Sequence, residues 1–141
     1  MRRWLLAGSG AIAVLLTGCV PPPQAANRCD IALGPPMLMF DVFFGRSVPG
    51  RGDVSDREWH DFLDKVVTPN LPNGYTVFDA AGAWMNPVTT RTLREPSKVL
   101  MAALPENAES VAAVNRIRNA YQLQFRQQLV GLAVQPVCGS F

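Results

Sequence analysis

A single histidine, His60, is all the imidazole that this chain of 141 residues contains. A metal centre built on several imidazoles, or a nucleophile relayed through a histidine base that is itself oriented by a partner, therefore has little material. Charge is scarce as well, with Asp, Glu, Lys and Arg making up 17% of the chain. Of the thirteen basic residues, Arg2 and Arg3 fall in the first 18 positions, leaving eleven against eleven acidic ones. The formal net charge of +2 thus belongs to the leader, and a neutral remainder offers no cationic surface for nucleic acid. No Cys-x-x-Cys pair, phosphate-cradling glycine loop or basic-aromatic patch occurs. Nor does any apolar run reach the roughly 20 residues that span a bilayer.

The hydrophobic residues, 48% of the chain, are concentrated at its start. Arg2 and Arg3 precede a 14-residue apolar run, Trp4 to Thr17, interrupted only by small residues. A basic start, a short apolar run and small residues at its end read as a secretory signal. Leu16-Thr17-Gly18-Cys19 resembles the lipobox of bacterial lipoproteins, in which the cysteine thiol takes a diacylglyceryl group and the leader is cut just before it. Residues 1–18 are therefore expected to be a lipoprotein signal peptide. Residues 19–35 are expected to be the lipidated Cys19 and a tether stiffened by Pro21, Pro22 and Pro23. Membrane lipid is then one partner, through acyl chains worth about 0.8 kcal/mol per buried methylene. Because Val20 and not an aspartate follows Cys19, the expected location is the outer membrane, facing the periplasm, in a host with two membranes. Cys29 and Cys138 remain, an even pair in an oxidising compartment, and are expected to form a disulfide.

Residues 36–141 read as one α+β domain. Leu38, Phe40, Val42 and Phe44 alternate with Met37, Met39, Asp41 and Phe43, giving a first strand apolar on both faces. Ser55 and Glu58 have capping-box spacing, and Trp59, Phe62, Leu63, Val66 and Val67 form one helical stripe that Pro69 is expected to stop. Tyr75 to Ala80 reads as a second strand, Gly82 to Pro87 as a bend holding Trp84, Arg91 to Arg94 as a short strand, and Lys98 to Leu104 as the third main strand. Val111, Val114, Ile117, Tyr121 and Phe125 share a face of a second helix, and Leu129 to Val137 closes the chain as a fourth strand. The order βαββαβ is that of the ferredoxin-like sandwich, two helices on one face of an antiparallel sheet. In that topology the first strand starts beside the end of the fourth, where Cys29 and Cys138 would meet.

Phe43-Phe44-Gly45-Arg46, Glu58-Trp59 with Phe62, Thr68-Pro69, Gly74-Tyr75-Thr76-Val77, Asp79 with Gly82 and Trp84, Glu95-Pro96-Ser97-Lys98-Val99, and Tyr121, Phe125 and Gln127 recur together in one family. In these stretches the chain resembles the domain of unknown function 3574 family, small exported or lipid-anchored bacterial proteins. It departs from the pattern at Leu71, where the family usually has phenylalanine, and at Met85-Asn86-Pro87, a bend that is often more polar. The resemblance implies a fold and an envelope location, and no activity.

Chemistry-bearing residues are few. His60, with Asp56 and Asp64 one turn to either side, reads as exposed helix surface, and no metal or cofactor is expected. Arg51-Gly52-Asp53 reads as a loop. Asp79, Trp84, Glu95, Ser97 and Lys98 make the best candidate binding cluster, since a hairpin gathers them at one end of the sheet. Two functions follow: a non-catalytic envelope lipoprotein with a structural role or one that binds a partner protein or small ligand, or a small hydrolase or isomerase with an acid–base cluster near Asp79, Glu95 and Lys98, using Glu95 and Lys98 as acid and base. The sheet face without helices is apolar and is expected to need a cover: a second copy in a homodimer, the segment Trp84 to Arg94, or an apolar ligand.

Overall fold

The computed structural model describes Cys29, residues 34–86 and residues 89–140. The expected signal peptide, Cys19 and most of the tether lie outside the described residues. Strands β1 (Pro36–Gly45), β2 (Thr76–Met85), β3 (Thr92–Pro105) and β4 (Gly131–Cys138) form one antiparallel sheet in the order β2-β3-β1-β4. Between β1 and β2, α1 (Asp56–Phe62), a π-helical turn (Leu63–Val67) and α2 (Thr68–Asn70) run on as one helix, and α3 (Ala108–Phe125) joins β3 to β4. This is the ferredoxin-like sandwich.

Alternation builds the core. Phe40, Val42 and Phe44 of β1 and Leu100, Ala102 and Leu104 of β3 turn toward the helices and are buried with Trp59, Phe62, Ile117 and Tyr121. Phe44 lies at the centre, its ring centroid 4.8 Å from Tyr121 and 5.3 Å from Trp59, both edge-on. Such pairs contribute about 0.5–1.5 kcal/mol each beyond their burial. The capping box forms as expected: Ser55 accepts from the Glu58 N–H, and the Glu58 carboxylate accepts from the Ser55 N–H.

Three expectations are corrected. Pro69 does not stop the helix, which continues to Asn70. The turn before it is widened, with Thr68 N–H donating to the Leu63 carbonyl five residues back, so the missing Pro69 N–H and its ring are accommodated. In α3, Val111 is 40% exposed, and Ser110 and Ala113 join Val114, Ile117 and Tyr121 on the buried side. Third, Gly82 to Met85 is strand rather than bend. It pairs with Thr92 to Glu95, so the short strand and the third strand are one element and the hairpin is long. β1 reaches only as far as Ser97, and beyond it β2 and β3 continue as a two-stranded ribbon.

Pro96 explains where β1 stops. Arg46 N–H donates to the Pro96 carbonyl at 3.0 Å, but Pro96 has no N–H to return. The Arg46 carbonyl is taken by Val54 N–H at 2.8 Å instead, and the chain leaves the sheet.

Cys29 and Cys138 are disulfide-bonded, with Cα atoms 5.4 Å apart across a separation of 109 residues. Cys138 pairs with Pro36 in the sheet, so the bridge ties the chain entering β1 to the end of β4. Replacing both cysteines by serine is expected to destabilise the fold by up to about 4–5 kcal/mol in the chain-entropy view, read by urea denaturation. Peptide mapping without reductant should recover the Cys29–Cys138 cross-link, and two alkylatable thiols in native protein would contradict the bridge.

Candidate functional site

The five residues proposed from sequence do not form one site. Register pairs Asp79 with Lys98 on the helix side of the β2–β3 hairpin, whereas Glu95, Ser97 and Trp84 occupy the alternate positions and face the other way. Lys98 Nζ meets Asp79 Oδ1 at 2.5 Å, with the lysine side chain 11% exposed and the carboxylate 82%. This hydrogen bond, and then the lysine charge itself, hold the Asp79 carboxyl below its ordinary range. Ser97 Oγ lies over Gly82, 2.7 Å from where a Cβ would stand. Trp84 pairs with Leu93 out on the ribbon, four positions from Ser97, or roughly 13 Å along the strand.

Glu95 belongs to a different assembly, the corner where β1 ends. Its carboxylate fills the space that a side chain on Gly45 would take and accepts from Ser47 N–H at 3.1 Å. The Gly45 carbonyl accepts from Tyr121 Oη at 2.9 Å, and the Ser47 carbonyl from Gln127 Nε2 at 2.7 Å. Arg46 donates through its guanidinium to the Val54 carbonyl and pairs with Asp56 at 2.9 Å. Arg51 pairs with Glu58 at 2.8 Å. Glu58 is pulled down to about 2, first by that hydrogen bond and then by those from Ser55. Burial pushes the Tyr121 phenol up, so it stays a donor.

Arg46, Glu58, Tyr121 and Gln127 entered the sequence reading as helix, loop or family positions. Nothing in their spacing announces that Arg46, Tyr121 and Gln127 meet at the Gly45–Ser47 corner, or that Glu58 pairs with Arg51. The Arg51-Gly52-Asp53 loop is exposed, but its charges are engaged within the chain, Arg51 by Glu58 and Asp53 by Ser47 Oγ. His60 is exposed, and no metal-holding group of His, Cys, Asp and Glu exists among the described residues.

The remaining feature is the sheet face opposite the helices. Phe43 is 45% exposed, Phe78 48% and Trp84 39%. Phe43 and Phe78 remain exposed, so the described residues of Trp84 to Arg94 do not cover the face. A groove of about 840 Å³ opens at the start of β1, lined by Met37, Met39, Thr76, Phe78, Met101 and Ala103 among others. In mid-face stands Asp41, whose Oδ1 is buried without a hydrogen-bond partner among the described residues.

The hairpin pair is asymmetric, and its two halves should respond differently to mutation. Asp79→Asn leaves a buried ammonium without its counter-charge, whereas Lys98→Met leaves a carboxylate already in water. The aspartate change is expected to lower the melting temperature more. Because the Asp79 pKa is depressed in the fold, its contribution is present above the ordinary carboxylate range and lost as pH falls through the folded value. Melts of Asp79→Asn should lack that component of the acid dependence.

Comparison with solved structures places the same architecture elsewhere. A phage SAM lyase in complex with S-methyl-5'-thioadenosine superposes with a TM-score of 0.59 at 11% identity, over 73% of this chain and 90% of that one. The phage SAM lyase in its apo state gives 0.53 at 13%, over 77% and 94%. CutA from Synechococcus elongatus PCC7942 gives 0.47 at 10%, over 73% and 78%. At these identities the lyase structures show a shared fold alone. No curated protein matches the chain. A family model described as "Protein of unknown function (DUF3574)" matches residues 40–141, the stretch that holds the Phe44 core, the Gly45 corner and the Asp79–Lys98 pair, and the chain belongs to that family.

Proposed function

We propose that this protein is an exported, lipid-anchored envelope protein that binds a partner or ligand without catalysis, on the open face of its sheet. The observation that carries the reading is the exposure of Phe43, Phe78 and Trp84 on a face that no helix among the described residues covers. A domain that buries Phe40, Phe44 and Tyr121 completely has no packing reason to leave such rings in water. The acid–base alternative finds less support. Glu95 and Lys98 lie on opposite faces of the sheet, and each is already engaged, Glu95 by Ser47 and Lys98 by Asp79.

The anchor reading rests on Leu16-Thr17-Gly18-Cys19 and the proline-rich stretch after it. Cys19→Ser is expected to leave an uncleaved precursor that incorporates no labelled fatty acid. Mature, membrane-bound protein from that variant would overturn the anchor. In a host with two membranes the wild type should peak with the outer membrane on a density gradient, and an inner-membrane peak would count against the sorting read from Val20.

A homodimer packed sheet to sheet is the second reading, since a two-fold interface reuses one patch and the same three rings favour it. Light scattering of the detergent-solubilised chain separates the two. A protein mass of one chain supports an open face that serves a ligand or a different partner, and a mass of two chains supports the dimer.

A further inference from the structure

Asp41 is the one acid in the middle of the open face. Its register partners are Met101 on β3 and Ala133 on β4, and its same-face neighbours along β1 are Met39 and Phe43. None of the same-face positions around it on these three strands is Lys, Arg or His. Lys98, the basic residue of β3 within one strand position of Val99, projects from the other face to Asp79. One carboxylate oxygen is therefore shielded from water and accepts nothing among the described residues. Such a group calls for a donor, and a charged donor bonds it most strongly.

The groove starts beside it. Met39 is the next same-face residue along β1 and Met101 stands directly opposite, and both line the groove. Its volume, about 840 Å³, falls in the range of small-ligand sites. The exposed ring of Phe43 flanks Asp41 on the other side, where a cation is attracted to an aromatic face. A second copy seated here on a two-fold axis through Asp41 would instead set carboxylate against carboxylate.

From these observations we propose, building on the binding reading above, that the open face takes a small amphiphilic amine. Its ammonium N–H donates to the Asp41 carboxylate through the oxygen that is not shielded, and its apolar body lies over Met39, Met101 and Phe78.

The methionines make the test site-specific. The full chain, carrying methyl-labelled methionine in neutral phosphatidylcholine nanodiscs, is titrated with octylammonium, octyltrimethylammonium and octanol while the methyl spectrum is followed. Octylammonium is expected to shift Met39 and Met101, leave Met85 on the ribbon unmoved, and bind about tenfold or more tighter than octanol, as a charged hydrogen bond implies. Octyltrimethylammonium, a cation without an N–H, should bind more weakly than octylammonium. Asp41→Asn should bring octylammonium to within about twofold of octanol, since only the charged contact is removed. Met101→Lys places an ammonium opposite Asp41 from within the chain, and should raise the melting temperature and abolish amine binding. Wild-type octylammonium affinity in either variant overturns the amine proposal, as does equal binding of octanol and octylammonium to the wild type. In those cases octanol shifts at Met39 and Met101 leave the binding reading standing. No shift with any of the three compounds overturns the amine proposal and leaves the open face to a protein partner.

Discussion

Side chains alternate across a strand, and in β1 that alternation decides both halves of the molecule. Phe40, Val42 and Phe44 go to the helices and are almost completely buried. Met39, Asp41 and Phe43 go the other way and form the middle of an uncovered face. Because β1 is hydrogen-bonded on both sides, to β3 and β4, its register transmits the same division to its neighbours. A slip of one residue would send Asp41 into the aromatic cluster around Phe44 and carry Phe44 into water. The core, the open face and the separation of Lys98 from Glu95 are consequences of that one constraint.

Much of this was legible in the sequence. The two apolar faces of β1, the capping box at Ser55 and Glu58, the stripe from Trp59 to Val67 and the meeting of Cys29 with Cys138 all follow from spacing and topology. The breakers misled. Gly82, Pro96 and Pro69 each read as punctuation, and each is instead fitted into an element. Gly82 makes room for Ser97 Oγ, Pro96 sits where the partner strand is leaving, and a widened turn accommodates Pro69. Their roles depend on partners distant in sequence, which a local pattern does not contain. The division of the candidate cluster was within reach, because residues three apart on one strand point to opposite faces. Splitting the strand between Arg94 and Lys98 hid it.

The Gly45 corner shows how side chains finish what the ladder leaves undone. Pro96 withholds one N–H, and the freed strand end is fastened by Tyr121 at the Gly45 carbonyl, by Val54 at the Arg46 carbonyl, and by Glu95 and Gln127 at Ser47. Glu95 reaches its position because Gly45 has no side chain. Every polar group named here is spent on another part of the chain. Such saturation suits a rigid joint between sheet and helix. It does not suit catalysis, which needs an acid or base with a free proton position aimed at a substrate.

The open face has the opposite character. An unpaired buried acceptor costs on the order of 1–3 kcal/mol, and rings left in water forgo burial that the other side of the same strands achieves. For folding alone, a small apolar residue at position 41 and polar ones at 43 and 78 would serve better. The aromatic cluster supplies stability from the other side of the sheet, and the Cys29–Cys138 bridge from its end. That separation lets the face carry groups unfavourable to folding while the fold remains intact, and such local conflicts are expected where a surface serves a ligand or partner.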